Sequence, residues 1–387
     1  MACNYYSSIT FLICFTMMIM IIHIGENETL SKRKRNGLRY IAEAILLGTI
    51  CEFLGFYLNG DTVLPKVIHG IAKAIEFSVS PVISYLFYVL LNNNDEKKIG
   101  GFLLKGIIIS NLIIQVFSIF IPLVFFIDNN NYYQRGNYYN IYIASYLIGI
   151  FICSIELFKY SKRHQSNGIK TILAIVSLIV CGFGSRFSNP EIHTDWLVTS
   201  IVYLTFIIAY SDLYLRMDSL TGLLNRRSYD NRINKIDYDT AIIIFDVDDF
   251  KSINDTKGHN YGDRVLKLIA KNILRAYVKY GYCYRIGGDE FCVILREGVL
   301  QKLINQDKSK DGYHAIELLG ETFNKLLDVE KLKDNELGKV LKGVSKGVDI
   351  FKFNDEYDSA EYYQKSIKDS VQKADSRMYN EKSEKKE

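Results

Sequence analysis

A chain of 387 residues has room for two or three domains of ordinary size, and a net charge of +4 gives no basis for a nucleic-acid partner. Its mean hydropathy of +0.04 averages two unlike halves: long apolar runs to about residue 210, then a charged stretch of soluble character. The seven cysteines have neither metal nor disulfide spacing, which argues against a zinc site or a disulfide framework.

Apolar stretches near 7–24, 40–58, 67–91, 102–127, 141–158, 170–185 and 196–212 predict an α-helical bundle of about seven membrane spans. Each is near the roughly 17–25 residues that cross a bilayer. The first lacks the basic start and the small-residue cleavage site of a signal peptide. Lys32, Arg33, Lys34, Arg35 and Arg39 follow span one; Lys97, Lys98 and Lys105 follow span three; Lys159, Lys162, Arg163 and Lys170 follow span five. The intervening loops carry only Lys66, Arg135 and Arg186. Positive charge stays inside, so the N-terminus is expected outside and the segment after span seven in the cytoplasm. The localisation that follows is the cell inner (cytoplasmic) membrane, multi-pass, with the lipid bilayer as a partner.

Glu43, Glu52, His69, Lys73, Glu76 and Glu156 fall inside these spans, with Lys73 and Glu76 three apart and so on one helix face. Two readings stand: an outward-opening pocket for an unknown small ligand, or interhelical pairing within the bundle. The loop 128–140, "DNNNYYQRGNYYN", is read either as a cover for such a pocket or as a solvated loop with interfacial tyrosines.

After span seven, only a few residues separate Tyr210 from Asp218, without heptads or a Gly/Ser linker, so the span is expected to continue as a helix. Thr240 to Phe245 reads as a buried strand ending in Asp246-Val247-Asp248-Asp249. "KSINDTKGHNYGD" reads as a turn-rich connection, and Val265 to Val278 as a helix by the spacing of Val265, Leu268, Ile269 and Ile273. In "YRIGGDEFCVI" two strand-like runs flank Gly287-Gly288, which predicts a tight hairpin with φ > 0 at its centre and Asp289 and Glu290 beside its tip. Cys283 and Cys292 flank it as small core residues. Carboxylates at a strand end facing carboxylates at a hairpin suit a hard divalent cation, which takes one or two carboxylates plus substrate phosphates. Two such cations serve in-line phosphoryl or nucleotidyl transfer. A calcium loop is the competing reading of "DVDDFKSINDTKG", but it lacks the central glycine of an EF-hand and follows a strand.

"DSLTGLLNRR", "FDVDDFKSINDTKGHNYGD", "RIGGDEF", "VSKGV" and "ADSRMYNEK" stand in the order and near the spacing of the GGDEF-domain diguanylate cyclases, and residues 214–384 resemble that family. The resemblance implies an α/β domain at 213–387 with a central, mainly antiparallel sheet, similar to nucleotide cyclases and polymerase palms, behind a membrane region at 1–212. It implies condensation of two GTP into cyclic di-GMP with release of pyrophosphate, by a homodimer in which each domain holds one GTP. Mg2+ is the implied cofactor, two ions per active site, with Mn2+ as the alternative.

Residue by residue, Asp246, the Val247 carbonyl and Asp289 match the family's metal ligands, and Asp289 and Glu290 its catalytic carboxylates. Phe250, through its backbone, and Lys251 match phosphate-holding positions. Asn254 and Asp263 match the guanine readers, a carboxylate suiting the N1–H and N2–H2 donors of that base. Gly287 and Gly288 would leave room for the nucleotide, and Lys382 matches a lysine for the triphosphate. Asp248 is expected to support the turn, and His259 to be structural. Two departures stand out. The family's inhibitory product site, an Arg-x-x-Asp, is replaced at its ends by Val278 and Gly281, and a C-terminal arginine by Lys386, which keeps the charge and loses the bidentate fork. Residues 298–314 read as a long surface connection. A catalytically silent GTP-binding module and a cyclase of altered base preference are the competing functions; retained Asp246, Lys251, Asn254, Asp263, Asp289 and Glu290 argue against the first, and retained Asp263 against the second.

Overall fold

The computed structural model describes residues 2–28, 30–60, 66–92, 99–165, 169–188, 194–307, 312–353 and 360–385. The chain divides into two compact units, Met1–Ser211 and Asp212–Glu387. Lys97, Lys98 and Lys386, which entered the charge and phosphate readings, lie outside the described residues.

The first unit runs α1 (Ala2–Glu26), α2 (Lys32–Tyr57), α3 (Lys66–Leu91), α4 (Ile99–Ser118), a hairpin of β1 (Phe125–Ile127) and β2 (Tyr133–Arg135), then α5 (Tyr139–Arg163), α6 (Ile169–Ser188) and α7 (Asp195–Leu215), whose last turn reaches past Ser211. Six of these helices are long and apolar enough to cross a membrane; the described apolar part of α6 is the shorter Ile169–Gly182. By that measure six of the seven expected spans are met among the described residues. The expected fourth span also ends early, because α4 stops at Ser118 and Phe125–Ile127 form β1. Pro122 accounts for the stop, since a proline disfavours helix in the residue before it and brings no N–H. The Ser118 hydroxyl then accepts the Val124 N–H at 3.1 Å.

The loop at 128–140 holds the tip of a hairpin, β2 and the start of α5; most of it is exposed, Tyr132 and Tyr138 included, while a few side chains dock it. Asp128 Oδ1 accepts the N–H groups of Asn130 and Tyr132, both at 2.9 Å. Asn131, in the left-handed region at φ 63°, donates from Nδ2 to the Leu58 carbonyl at 2.8 Å. Asn59 Oδ1 accepts the Tyr133 N–H at 2.9 Å. The hairpin is thereby fixed to the turn between α2 and α3, over an aromatic cluster centred on Phe77. Lys73 pairs with Glu76 at 2.8 Å, the two side chains 5% and 6% exposed. The pair lies within α3 instead of bridging two helices; α2 contributes Gly55, where a Cβ would meet Lys73 Cε at 2.5 Å.

The second unit contains α8 (Arg226–Ile233), β3 (Thr240–Val247), α9 (Phe250–Lys257), α10 (His259–Tyr277), β4 (Gly281–Arg285), β5 (Glu290–Leu295), α11 (Val299–Gln306), α12 (Gly312–Lys333), α13 (Asn335–Val340), β6 (Val344–Phe351) and α14 (Ala360–Glu384). The sheet is antiparallel throughout, in the order β4-β5-β3-β6. All eight residues of β3 are buried, because it is a central strand covered on both faces. Ala241, Ile243, Phe245 and Val247 pack in one core with Val265, Ile269 and Ile273 of α10 and Phe323 of α12. Ile242 and Ile244 join the other core with Tyr229, Ile367 and Met378. The continuous apolar run of β3 thus serves two layers of helices.

Two connections are more ordered than expected. The turn-rich reading of 251–263 gives way to α9 and the first turn of α10, separated at Gly258, whose φ of 82° breaks the helix between them. The polar residues of α9 hide its periodicity, since only Ile253 is buried. The long connection after Gly298 contains α11, which buries Leu300; residues 308–311 lie outside the described set.

Candidate active site

The C-terminal end of β3 and the N-terminal end of β5 are neighbours in the sheet, and register sets Asp246 directly opposite Glu290. Asp289 is held at the same end, its carbonyl accepting the Val247 N–H at 3.3 Å. Three carboxylates therefore gather where a buried strand meets a loop. Asp246 is 8% exposed. Burial first, then the nearby charges of Asp289 and Asp248, raise its carboxyl above the usual range, against the opposing pull of Lys382. Glu290 is raised for the same reasons: burial, then Asp246 and Asp289.

The loop differs from the expected two-residue turn. Arg285 and Phe291 are the last paired residues, and the N–H groups of Ile286 and Gly287 both donate to the Glu290 carbonyl, at 3.0 and 3.3 Å. Gly60, Gly222, Gly258 and Gly298 take left-handed φ values, whereas Gly287 and Gly288 do not. The requirement at Gly287 is space: a Cβ there would sit 2.5 Å from Glu290 Oε2. Around Gly288 there is open room.

What shapes the loop is Arg285, to which sequence reasoning assigned no role. Its guanidinium donates to the Gly288 carbonyl from Nη2 at 2.6 Å and to Asp218 Oδ1 from Nη1 at 3.1 Å. Asp218 also accepts from the Thr221 N–H at 2.9 Å and hydroxyl at 2.6 Å. Burial raises the Asp218 carboxyl, but the Thr221 and Arg285 hydrogen bonds outweigh it and hold the group below its ordinary value. The signal lay in "DSLTG" and "RIGG", a lone acid and a lone base in two motifs far apart in sequence.

Asp248 supports the turn as expected, through a partner on another strand: Ser345 of β6 donates its hydroxyl to Oδ1 at 2.6 Å. Asp249 opens α9 with φ 53° and does not cap it; its carboxylate instead accepts from Lys342 Nζ at 2.6 Å. The first turn of α9, holding Phe250 and exposed Lys251, therefore starts without a side-chain cap. Asn254 lies against Gly262, where a Cβ would collide with Asn254 Oδ1, so α9 and α10 bring Asn254 beside the turn that carries Asp263. His259 is exposed at the start of α10.

Lys382, expected near the triphosphate, comes from α14 and donates to Asp246 Oδ1. Burial disfavours its charge, and the Asp246 hydrogen bond and surrounding carboxylates more than restore it, raising its pKa. Among the described residues no three His, Cys, Asp or Glu side chains converge as a ready metal cage. The expected ligands Asp246, the Val247 carbonyl and Asp289 still fit a divalent cation. They offer hard oxygens at one strand end, and an ammonium already sits on one of them. A cation that draws much of its shell from water and substrate phosphates needs no more protein ligands than this.

Residues 215–312 match the family described as "Diguanylate cyclase, GGDEF domain". Diguanylate cyclase DosC of Escherichia coli (strain K12) is 40% identical over 165 residues, 36% of this chain and 36% of that protein. Probable diguanylate cyclase DgcJ of the same organism is 34% identical over 119 residues, 27% of this chain and 24% of that protein. The chain thus spans about a quarter to a third of the length of these relatives. A solved GGDEF domain of DgcB from Caulobacter crescentus, in complex with c-di-GMP, aligns over 43% of this chain and 90% of its own, at 23% identity and a TM-score of 0.31. With the carboxylate cluster at the β3–β5 end and the family match across the same elements, this chain carries a GGDEF domain.

Proposed function

We propose that the chain is a membrane-bound diguanylate cyclase that condenses two GTP into cyclic di-GMP and two pyrophosphates. In this reading 1–212 is a membrane region of seven spans with its N-terminus outside, and 213–387 is a cytoplasmic, palm-like catalytic domain at the inner membrane. The observation that carries the reading is the register of Asp246 against Glu290, with Asp289 tied to Val247 at the same strand end.

In each half-reaction the 3′-oxygen of one GTP attacks the α-phosphorus of the other. A P–O bond forms, the α–β anhydride bond breaks, pyrophosphate leaves and the hydroxyl proton is lost. GGDEF diguanylate cyclases use divalent metal ions, and Asp246, the Val247 carbonyl and Asp289 are the residues that would hold two Mg2+ or Mn2+ here. When bound, the metal supplies positive charge to the reacting phosphate and lowers the pKa of an oxygen bound to it. The uncapped N–H groups at the start of α9, with Lys251, bind phosphate. Asn254 and Asp263 read guanine. Lys382 keeps Asp246 charged and compensated until substrate arrives, then turns to the triphosphate. One such site per chain holds one GTP, so closing the ring needs two chains face to face.

The direct test is incubation of the purified full-length protein with GTP and Mg2+, with products read by mass spectrometry. Cyclic di-GMP is expected; bound GTP with no product would favour a silent binding module.

A further inference from the structure

Strand β6 is an edge of the sheet, and beside it the second unit has a cleft of about 550 Å3 between β6, α12 and α14, within the range of about 300–1,000 Å3 usual for small-ligand sites. Its floor is formed by buried Ile243, Tyr277 and Ile316. Lys346 stands in the same wall. Register sets it opposite fully buried Phe245, so its side chain shares the face of the sheet that packs on α10 and α12. There it lies against Gly320 of α12, where a Cβ would collide with Lys346 Nζ. Among the described residues no acid pairs with that ammonium, and the buried Tyr277 hydroxyl has no hydrogen-bond partner. Glu317 of α12 and Glu384 of α14 are exposed at the mouth and carry no ion pair among the described residues. The other charges of the wall are matched: Arg377 with Asp349 at 2.8 Å and Glu381 with Lys385 at 2.7 Å. The strand edge is closed to a further strand. Arg377 donates to the Val348 carbonyl, Lys385 donates to the Val344 carbonyl at 3.2 Å, and the Lys346 N–H donates to Glu381 at 3.4 Å.

A lysine on a core face costs free energy unless a partner matches it, and so does a buried phenol without an acceptor. Both groups donate, so the inner end of the cleft suits an acceptor with negative charge. The two glutamates at the mouth suit positive charge, and the floor suits an apolar body. We propose that this cleft binds a small zwitterion with an apolar side chain, of the α-amino acid class, with its carboxylate on Lys346 at the Tyr277 end, its ammonium toward Glu317 and Glu384, and its side chain over Ile243 and Ile316. A plain anion would face the glutamates and a plain cation would face Lys346, so each forgoes one of the two matches. The cleft is distinct from the carboxylate cluster at the β3–β5 end, and binding there does not depend on cyclase activity.

Full-length protein in detergent is titrated calorimetrically with L-phenylalanine, and in parallel with 3-phenylpropanoate, which lacks the ammonium, and phenethylamine, which lacks the carboxylate. The expected result is saturable binding of phenylalanine, at least about tenfold tighter than either analogue. Lys346→Met keeps the length of the side chain and removes its charge. It is expected to lower phenylalanine affinity at least about tenfold while the protein unfolds at or above the wild-type temperature, because an unmatched charge leaves a core-facing position; a lysine needed only for structure would make the variant unfold earlier. Glu317→Gln with Glu384→Gln, both on exposed residues, is expected to bring phenylalanine down to the affinity of 3-phenylpropanoate. Absence of saturation with phenylalanine overturns the site. Unchanged phenylalanine affinity in Lys346→Met overturns its placement in this cleft, and equal affinity for all three compounds overturns its zwitterionic character.

Discussion

Asp289 and Glu290 carry no bulk that the fold needs, so their removal as charges tests chemistry and not structure. Asp289→Asn or Glu290→Gln is expected to lower cyclic di-GMP formation by more than about a hundredfold, the scale of losing a group aimed at developing charge. Thermal unfolding should stay close to wild type; wild-type rates at ordinary Mg2+ would remove both residues from the site. Asp263→Ser deletes an acceptor for the guanine N–H donors and is expected to weaken GTP by about 1–3 kcal/mol. The check is competition between GTP and ATP, and an unchanged ratio would refute the role. Asp218 acts differently, through Arg285 on the loop that carries the signature. Asp218→Asn is expected to destabilise the second unit by about 1–3 kcal/mol, the range for a hydrogen-bonded charged group left unmatched. Because the folded-state carboxyl is held below its ordinary value, its contribution is present above about pH 4 and fades as pH falls below that. Denaturation of wild type and variant should therefore converge on acidification; a gap that widens instead would contradict the depressed carboxyl.

At the scale of elements, the β4–β5 pair constrains what the chain can regain. Gly281 opens β4 opposite Leu295, and a Cβ there would lie 2.6 Å from the Ile294 carbonyl oxygen. The aspartate that the family's inhibitory motif places at this position therefore cannot be added without moving a strand. Val278→Arg with Gly281→Asp is expected to cost about 1–3 kcal/mol, as overpacking does, and to fail to restore product inhibition. Chemical denaturation gives the cost and product titration the second outcome; a stable double variant that binds product tightly would show that the strand yields.

At the scale of the whole molecule, α7 runs from Asp195 to Leu215 across the boundary between the units. Its end is fixed by Asn225, which donates from Nδ2 to the carbonyls of Leu215 and Met217 at 2.8 and 3.3 Å. A continuous helix transmits displacement that a glycine linker would absorb, and near-attack geometry between two bound GTP molecules tolerates only small errors. We therefore expect four glycines inserted between Ser211 and Asp212, upstream of the Asn225 ties, to leave the catalytic unit folded and to change cyclic di-GMP output from membranes. Equal amounts of wild-type and inserted protein are compared. Identical output would make the first unit an anchor only.

The elements with strong periodicity were legible from residues alone. Thr240 to Phe245 is within β3, Val265 to Val278 nearly coincides with the body of α10, and most apolar runs are helices. Burial on both faces or on one leaves its mark in the local pattern. The placement of Asp246, Asp289 and Glu290 at one end of the sheet was legible too, because they lie in short motifs beside that strand and hairpin. What needed tertiary structure were contacts between residues far apart in the chain. Lys382 reaches Asp246 across 136 positions, Ser345 reaches Asp248 across 97 and Arg285 reaches Asp218 across 67; no local period encodes such pairs. Nor does the glycine doublet announce its own geometry. Gly287-Gly288 reads as a tight turn by propensity, yet the loop is wider, because Arg285 holds the Gly288 carbonyl and Gly287 has to clear the Glu290 carboxylate. Composition set the apolar and the charged halves of the chain; packing alone decided which buried charges meet and where the second half leaves a cleft.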